Sequence, residues 1–185
     1  MFTVGLDLAT TTGVAIGDSR INHPSQIELL SMRFRKPHEP FEMAGFNLER
    51  WLEQAFIRPL PQYPRPDLIV AEAMLPVAGQ KSDDAAKVAL SLNQGLFNFA
   101  RRFSVRVERV ARSTACKHFI GKGRADKGED IKLLVAKQAH LLGYTEVILP
   151  KAKRDQSDAI ACWDWAVATY ARRRPAGVAL LGGVA

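Results

Sequence analysis

An aspartate stands inside the first apolar strand of this chain, and no other feature limits its folding more. Residues 2–8, FTVGLDL, alternate as a strand does, with Phe2, Val4, Leu6 and Leu8 on one face and Thr3, Gly5 and Asp7 on the other. Burying the Asp7 carboxylate without partners costs several kcal/mol. The fold must therefore bring compensating groups to this strand, or let the carboxylate cap the ATTTG turn that follows it.

The remaining pattern says what kind of sheet receives that strand. A short apolar run, Val14 to Ile16, ends at Gly17-Asp18 and reads as the return strand of a hairpin. A third strand is expected over 27–34 and a helix over 41–57, stopped by the proline-rich PLPQYPRP. The run DLIVAEA predicts a central strand at 67–72. A helix over 83–102 follows, capped by Ser82, Asp83 and Asp84. VRVERV (105–110) is a further strand, 113–120 a short helix capped by Ser113, and GKGRADKGED a glycine-rich basic loop. An amphipathic helix over 129–142 ends at Gly143, and a final helix is expected over 156–173. Antiparallel strands followed by βα units predict an α/β fold, a mixed five-stranded sheet with helices on both faces. Residues 1–174 suit one domain, and 175–185 a frayed tail or a segment that packs on a partner.

Three more carboxylates would lie near Asp7 in such a fold. Glu72 ends a strand at the edge where open sheets present ligands. Asp155 and Asp158, three apart in KRDQSDAIACWDWAV, project from one helix face. Each has an ordinary alternative, since a strand-end glutamate is often solvated and acids in a first turn meet the helix dipole favourably. Four together would repel one another unless cations sat among them. Mg²⁺ or Mn²⁺ suits carboxylate and water oxygens, and two such ions about 3.5–4 Å apart can hydrolyse a phosphodiester. No histidine joins this group: His23, His38, His118 and His140 are scattered and read as surface or loop residues. Cys116 and Cys162, far apart and outside any CxxC pattern, read as reduced, partly buried thiols.

The formal charge of +7 points to a polyanionic partner. Its distribution sharpens this, because eleven Lys and Arg face only four acids between Arg101 and Lys137. Such a group looks like a phosphate-binding surface. No apolar run reaches the ~20 residues that span a bilayer. No secretory leader pattern is visible at the N-terminus either, so a cytoplasmic location, in a bacterial or phage-infected cell, is the expectation.

Four segments together carry a resemblance: GLDLATTTGVAI; VAEAMLP with KSDDAAKVALSLNQG; CKHFIGKGRADKGEDIKLLV; and RDQSDAIACWDWA. In this order and spacing, from residue 2 to about 170, they resemble RuvC-type Holliday junction resolvases of the ribonuclease H-like superfamily. The resemblance implies that Asp7, Glu72, Asp155 and Asp158 are metal-binding catalytic acids. It implies a homodimer on a four-way DNA junction, cutting opposed strands to leave 5′-phosphate and 3′-hydroxyl ends. Lys117 and Lys127 match basic positions near the scissile phosphate or junction backbone, and Lys122 and Arg124 of the same basic segment are further DNA-binding candidates. The chain departs from the pattern at Leu75, where the best-known members carry an aromatic wedge. A leucine packs on a base but has no π face for stacking, which implies a wider range of branched DNA.

Three other functions compete. The DLATTTG hairpin is similar to the phosphate-binding opening of actin-like ATPases and sugar kinases, but those folds need two such domains and well over 300 residues. A ribosomal-RNA-processing nuclease would share the superfamily. A non-catalytic junction binder would gain nothing from clustered acids facing phosphates.

Overall fold

The alternation of the first strand is realised in β1 (Phe2–Asp7), which pairs antiparallel with β2 (Thr12–Asp18) and sets Asp7 opposite Gly13. The structure is a computed structural model that describes residues 1–20, 23–74 and 82–171. β2 pairs antiparallel with β3 (Glu28–Met32), while β1 pairs parallel with β4 (Leu68–Glu72) and β4 with β5 (Val107–Val110). The result is a mixed five-stranded sheet, as the sequence predicts, and its strands run in the order β3-β2-β1-β4-β5. The third and fifth strands are shorter than expected.

Helices cover both faces. α1 (Glu42–Phe56) and α2 (Asp83–Phe103) pack on the face carrying Val4, Leu6, Val14, Ile16, Ile69 and Ala71. α3 (Arg112–Ile120), α4 (Ile131–Leu141) and α5 (Arg154–Ala166) pack on the other, with Ala15, Leu68 and Val70. α1 and α2 meet backbone to backbone: a Cβ on Gly95 would lie 2.1 Å from the Gly45 carbonyl oxygen. Ser91 Oγ accepts the Gly45 N–H at 2.8 Å, which ties the pair together. Among the described residues no helix is long and apolar enough to cross a membrane.

The helix ends show where local signals hold. Ser82 caps α2 by accepting the Ala85 N–H at 3.1 Å, as its position predicts. The proline-rich 59–66 segment has a structural use. Tyr63 packs on Phe56 at 5.5 Å between ring centres, and the Arg65 guanidinium donates to the Phe103 and Ser104 carbonyls at the end of α2. Ser113 is a correction: the N-cap of α3 is Ala111, with no side-chain cap bond, and Ser113 lies inside the first turn. α4 starts after Asp130, whose carboxylate accepts the N–H groups of Lys132 and Leu133 at 3.0 and 3.4 Å. α5 begins at Arg154, earlier than expected, so both aspartates are fully helical, and it closes in a π turn over Val167–Ala171. The expected end of that helix at 173 and the 175–185 tail lie outside the described residues.

Candidate active site

Asp7 and Glu72 are the last residues of two neighbouring parallel strands. Strand alternation puts Asp7 on the side of Thr3 and Gly5, and Glu72 on the side of Leu68 and Val70, which is the face that α5 covers. The register pairs Leu6 with Ala71, so the next step places Asp7 beside Glu72 at the C-terminal edge of the sheet.

Missing side chains bring α5 down onto that edge. A Cβ on Gly13, opposite Asp7, would come within 1.9 Å of the Asp155 carbonyl oxygen, and one on Gly5 within 2.4 Å of that of Ala159. Further along, the Trp163 indole N–H donates to the Thr3 carbonyl at 3.1 Å. The first turn of α5 is thereby pressed over the strand ends. Asp7, Asp155 and Asp158 are only 7%, 9% and 4% exposed.

Such crowding has an electrostatic signature. Burial, and next the Asp158 charge, push the Asp7 carboxyl up to about 6, against the pull of Lys132 and Arg112. Burial and the Asp7 charge push Glu72 up to about 8. Asp155 Oδ2 and Asp158 Oδ1 are buried without a hydrogen-bond donor.

Two cations enter the site that the sequence identifies only as members of a basic surface. Lys132 Nζ stands 2.5 Å from Asp158 Oδ2 and 3.6 Å from Asp7 Oδ2. Arg112 Nη2 stands 3.6 Å from Asp158 Oδ2. The sequence holds a signal for each. Arg112 lies two residues past the end of β5, the strand beside that of Glu72. Lys132 sits in the first turn of a helix, the end where a cation opposes the dipole and needs a compensating anion.

The donor set has the chemistry of a hard-cation site, namely buried carboxylates of which Asp155 Oδ2 and Asp158 Oδ1 lack donors. Its spacing is another matter. No group of three or more His, Cys, Asp or Glu among the described residues stands close enough to hold a metal ion. The positive charge among the acids is the Lys132 ammonium, with the Arg112 guanidinium beside it.

Of the basic candidates, Lys117, Arg124 and Lys127 are exposed. Arg112, Arg124 and Met74 line a cleft of about 440 Å³ at the end of β4. Lys122 is engaged inside its own loop, 3.0 Å from Asp126 and 2.5 Å from Glu129. Leu75 lies outside the described residues. A larger groove of about 710 Å³ runs between α1 and α2, on the opposite face of the sheet.

His118 is more than a surface residue: its Nε2 is 2.7 Å from Asp164 Oδ2, and the Tyr144 hydroxyl donates to the other oxygen of that carboxylate. This ties α3 to α5 on a face of α5 different from that of Asp158. Cys116 and Cys162 are free and buried, one turn beyond Arg112 and Asp158 respectively. Burial and the site's carboxylates hold both thiols up, which keeps them protonated and inert.

No family model and no curated protein matches the chain. Solved structures do. Thermus thermophilus RuvC in complex with a Holliday junction substrate is 20% identical, covers 94% of this chain and 96% of its own, and superposes with a TM-score of 0.65. A second T. thermophilus RuvC structure has the same identity and coverage, with a TM-score of 0.61. The yeast mitochondrial Holliday junction resolvase Ydc2 is 11% identical over 91% of this chain and 80% of its own, with a TM-score of 0.59. With its strand order, its helices on both faces and this likeness over nearly the whole length, the chain has the ribonuclease H-like fold in the form of the RuvC structures.

Proposed function

We propose that this protein is a metal-dependent endodeoxyribonuclease that nicks four-way junctions or related branched DNA. One observation carries the reading: in a RuvC-like fold, Asp7, Glu72, Asp155 and Asp158 come from three separate elements to one edge of the sheet, with the three aspartates buried and Asp155 and Asp158 short of hydrogen-bond donors. A cluster of this kind weakens the fold unless it serves a ligand.

Asp7, Glu72, Asp155 and Asp158 would hold Mg²⁺ or Mn²⁺, two ions in the two-metal form of the chemistry. When bound, such ions activate a water and stabilise the departing 3′ oxygen. The chain's own residues supply the rest. The carboxylates orient the attack through their fixed places on β1, β4 and α5. Glu72, whose carboxyl burial and the Asp7 charge push up to about 8, keeps its proton at neutral pH in the metal-free site and would release it on holding a cation. Exposed Lys117, Arg124 and Lys127 offer the DNA backbone a positive approach. Breaking the bond between phosphorus and the 3′ oxygen leaves 5′-phosphate and 3′-hydroxyl ends.

A four-way junction needs two opposed cuts, so the reading includes a homodimer. The α1–α2 face supports it, with Phe46 and Leu90 exposed at 58% and 48% on the groove between these helices and Phe97 exposed at 63% on α2.

The test is incubation of the purified protein and Mg²⁺ with labelled four-way junction, Y-fork, plain duplex and RNA–DNA hybrid. Cutting of the branched substrates with duplex left intact is expected. Equal cutting of plain duplex overturns the structure-selective reading, and cutting of the hybrid alone moves the protein to RNA.

A further inference from the structure

Lys132 holds a place that its own helix disfavours. It lies in the first turn of α4, two residues after the Asp130 cap, where the dipole is positive. Its side chain runs half-buried into the site and bridges Asp158 and Asp7 at 2.5 and 3.6 Å. Asp130 fixes that turn from both sides, accepting the Lys132 backbone N–H at 3.0 Å and pairing with Arg154 at 2.5 Å, one residue before Asp155. The ammonium is therefore delivered to the acids by the same contacts that join α4 to α5. No metal-holding group stands free of it among the described residues.

We infer that the Lys132 ammonium is the resident cation of the metal-free site, occupying the space between Asp7 and Asp158 that a divalent ion must take over. Lys132 thus keeps the acid cluster stable before metal arrives and sets how much metal the protein needs. A second cation cannot share Asp158 Oδ2 at these distances without strong repulsion, so metal entry requires the lysine to swing out. The long, flexible lysine stem permits this where an arginine fork would not. Once displaced, the ammonium is free to meet the phosphate backbone. The inference rests on the proposed metal-dependent nuclease.

The experiment is calorimetric titration of metal-free protein with MnCl₂, comparing the wild type with Lys132→Met, together with thermal melting of both in EDTA. Lys132→Gln, which keeps the stem length and a hydrogen-bond donor, serves as the second variant where Met compromises folding. The expected result is Mn²⁺ binding on the order of tenfold tighter or more in the variants, since one competing charge is gone. Melting in EDTA should fall relative to wild type, and saturating Mn²⁺ should close the gap. Equal or weaker Mn²⁺ binding in both variants overturns the inference and leaves the nuclease reading standing. Absence of binding heat in the wild type and both variants overturns the metal-dependent reading itself, and the inference with it.

Discussion

Replacing Asp7 by Asn separates the two roles a buried carboxylate can have. If the residue only caps the TTTG turn, an amide serves nearly as well, and cleavage survives. As a member of the cluster it supplies charge that an amide lacks. Asp7→Asn is therefore expected to lower junction cleavage by roughly 10²–10³-fold, with junction affinity in a gel-shift assay little changed. Glu72 gives the matching pH signature. Its carboxyl is raised from 4.5 to about 8, so the folded state holds its proton longer than the unfolded chain does. Stability from this group is fully present below about 4.5 and is lost as the pH rises through about 8; Asp7, raised to about 6, acts in the same direction. Melting in EDTA should accordingly decline from pH 5 towards pH 8, and less steeply in Glu72→Gln; an unchanged slope in the variant contradicts the assignment. At this scale Asp7 and Glu72 were legible because each stands out against apolar neighbours, and Asp155 and Asp158 because their spacing puts them on one helix face. Lys132 and Arg112 carry only a helix-start and a strand-end signal, and among eleven basic residues the packing of α4 and α3 is what selects these two.

Elements, not single side chains, decide where the acids meet. β1 and β4 align Asp7 with Glu72 through ordinary register, whereas alternation predicts only the face each side chain takes. The placement of α5 depends on two small gaps in the sheet, at Gly5 and Gly13. Gly13→Ala is a sharp test, because its Cβ would fall 1.9 Å from the Asp155 carbonyl and the helix must move. A loss of about 1–3 kcal/mol of stability is expected, with cleavage falling further than the melting curve accounts for, since Asp155 and Asp158 move with the helix. Full activity at reduced stability would show that the site tolerates the shift. The sequence marked Gly13 only as part of a turn. Its use as a gap for a helix about 140 residues later depends on tertiary contact, which no local pattern encodes. The same limit explains Ser113: serine before a helical run is a sound cap signal, but here the chain turns into α3 directly from β5 and the helix begins one residue earlier.

For the molecule as a whole, the two faces of the sheet divide the work. One carries the acids and the basic loop, the other an apolar groove between α1 and α2. Leu90 and Phe97, two helical turns apart on one side of α2, are the exposed anchors of that second face. Phe97→Glu is expected to convert a dimer into a monomer by light scattering, leaving nicking of a single strand but removing paired cuts. A monomeric wild type would sink the dimer reading. Helix α5 adds a consequence in time. The hydrogen bond from Trp163 to Thr3 joins positions 160 residues apart, and Asp155 and Asp158 ride on the same helix. Contacts of such separation are among the slowest to form. During synthesis the half-chain that carries Asp7 and Glu72 thus lacks its other two acids until almost everything else has been made. On the proposed function, a nascent or C-terminally clipped molecule would leave DNA uncut, and cutting ability would arrive only once α5 has docked.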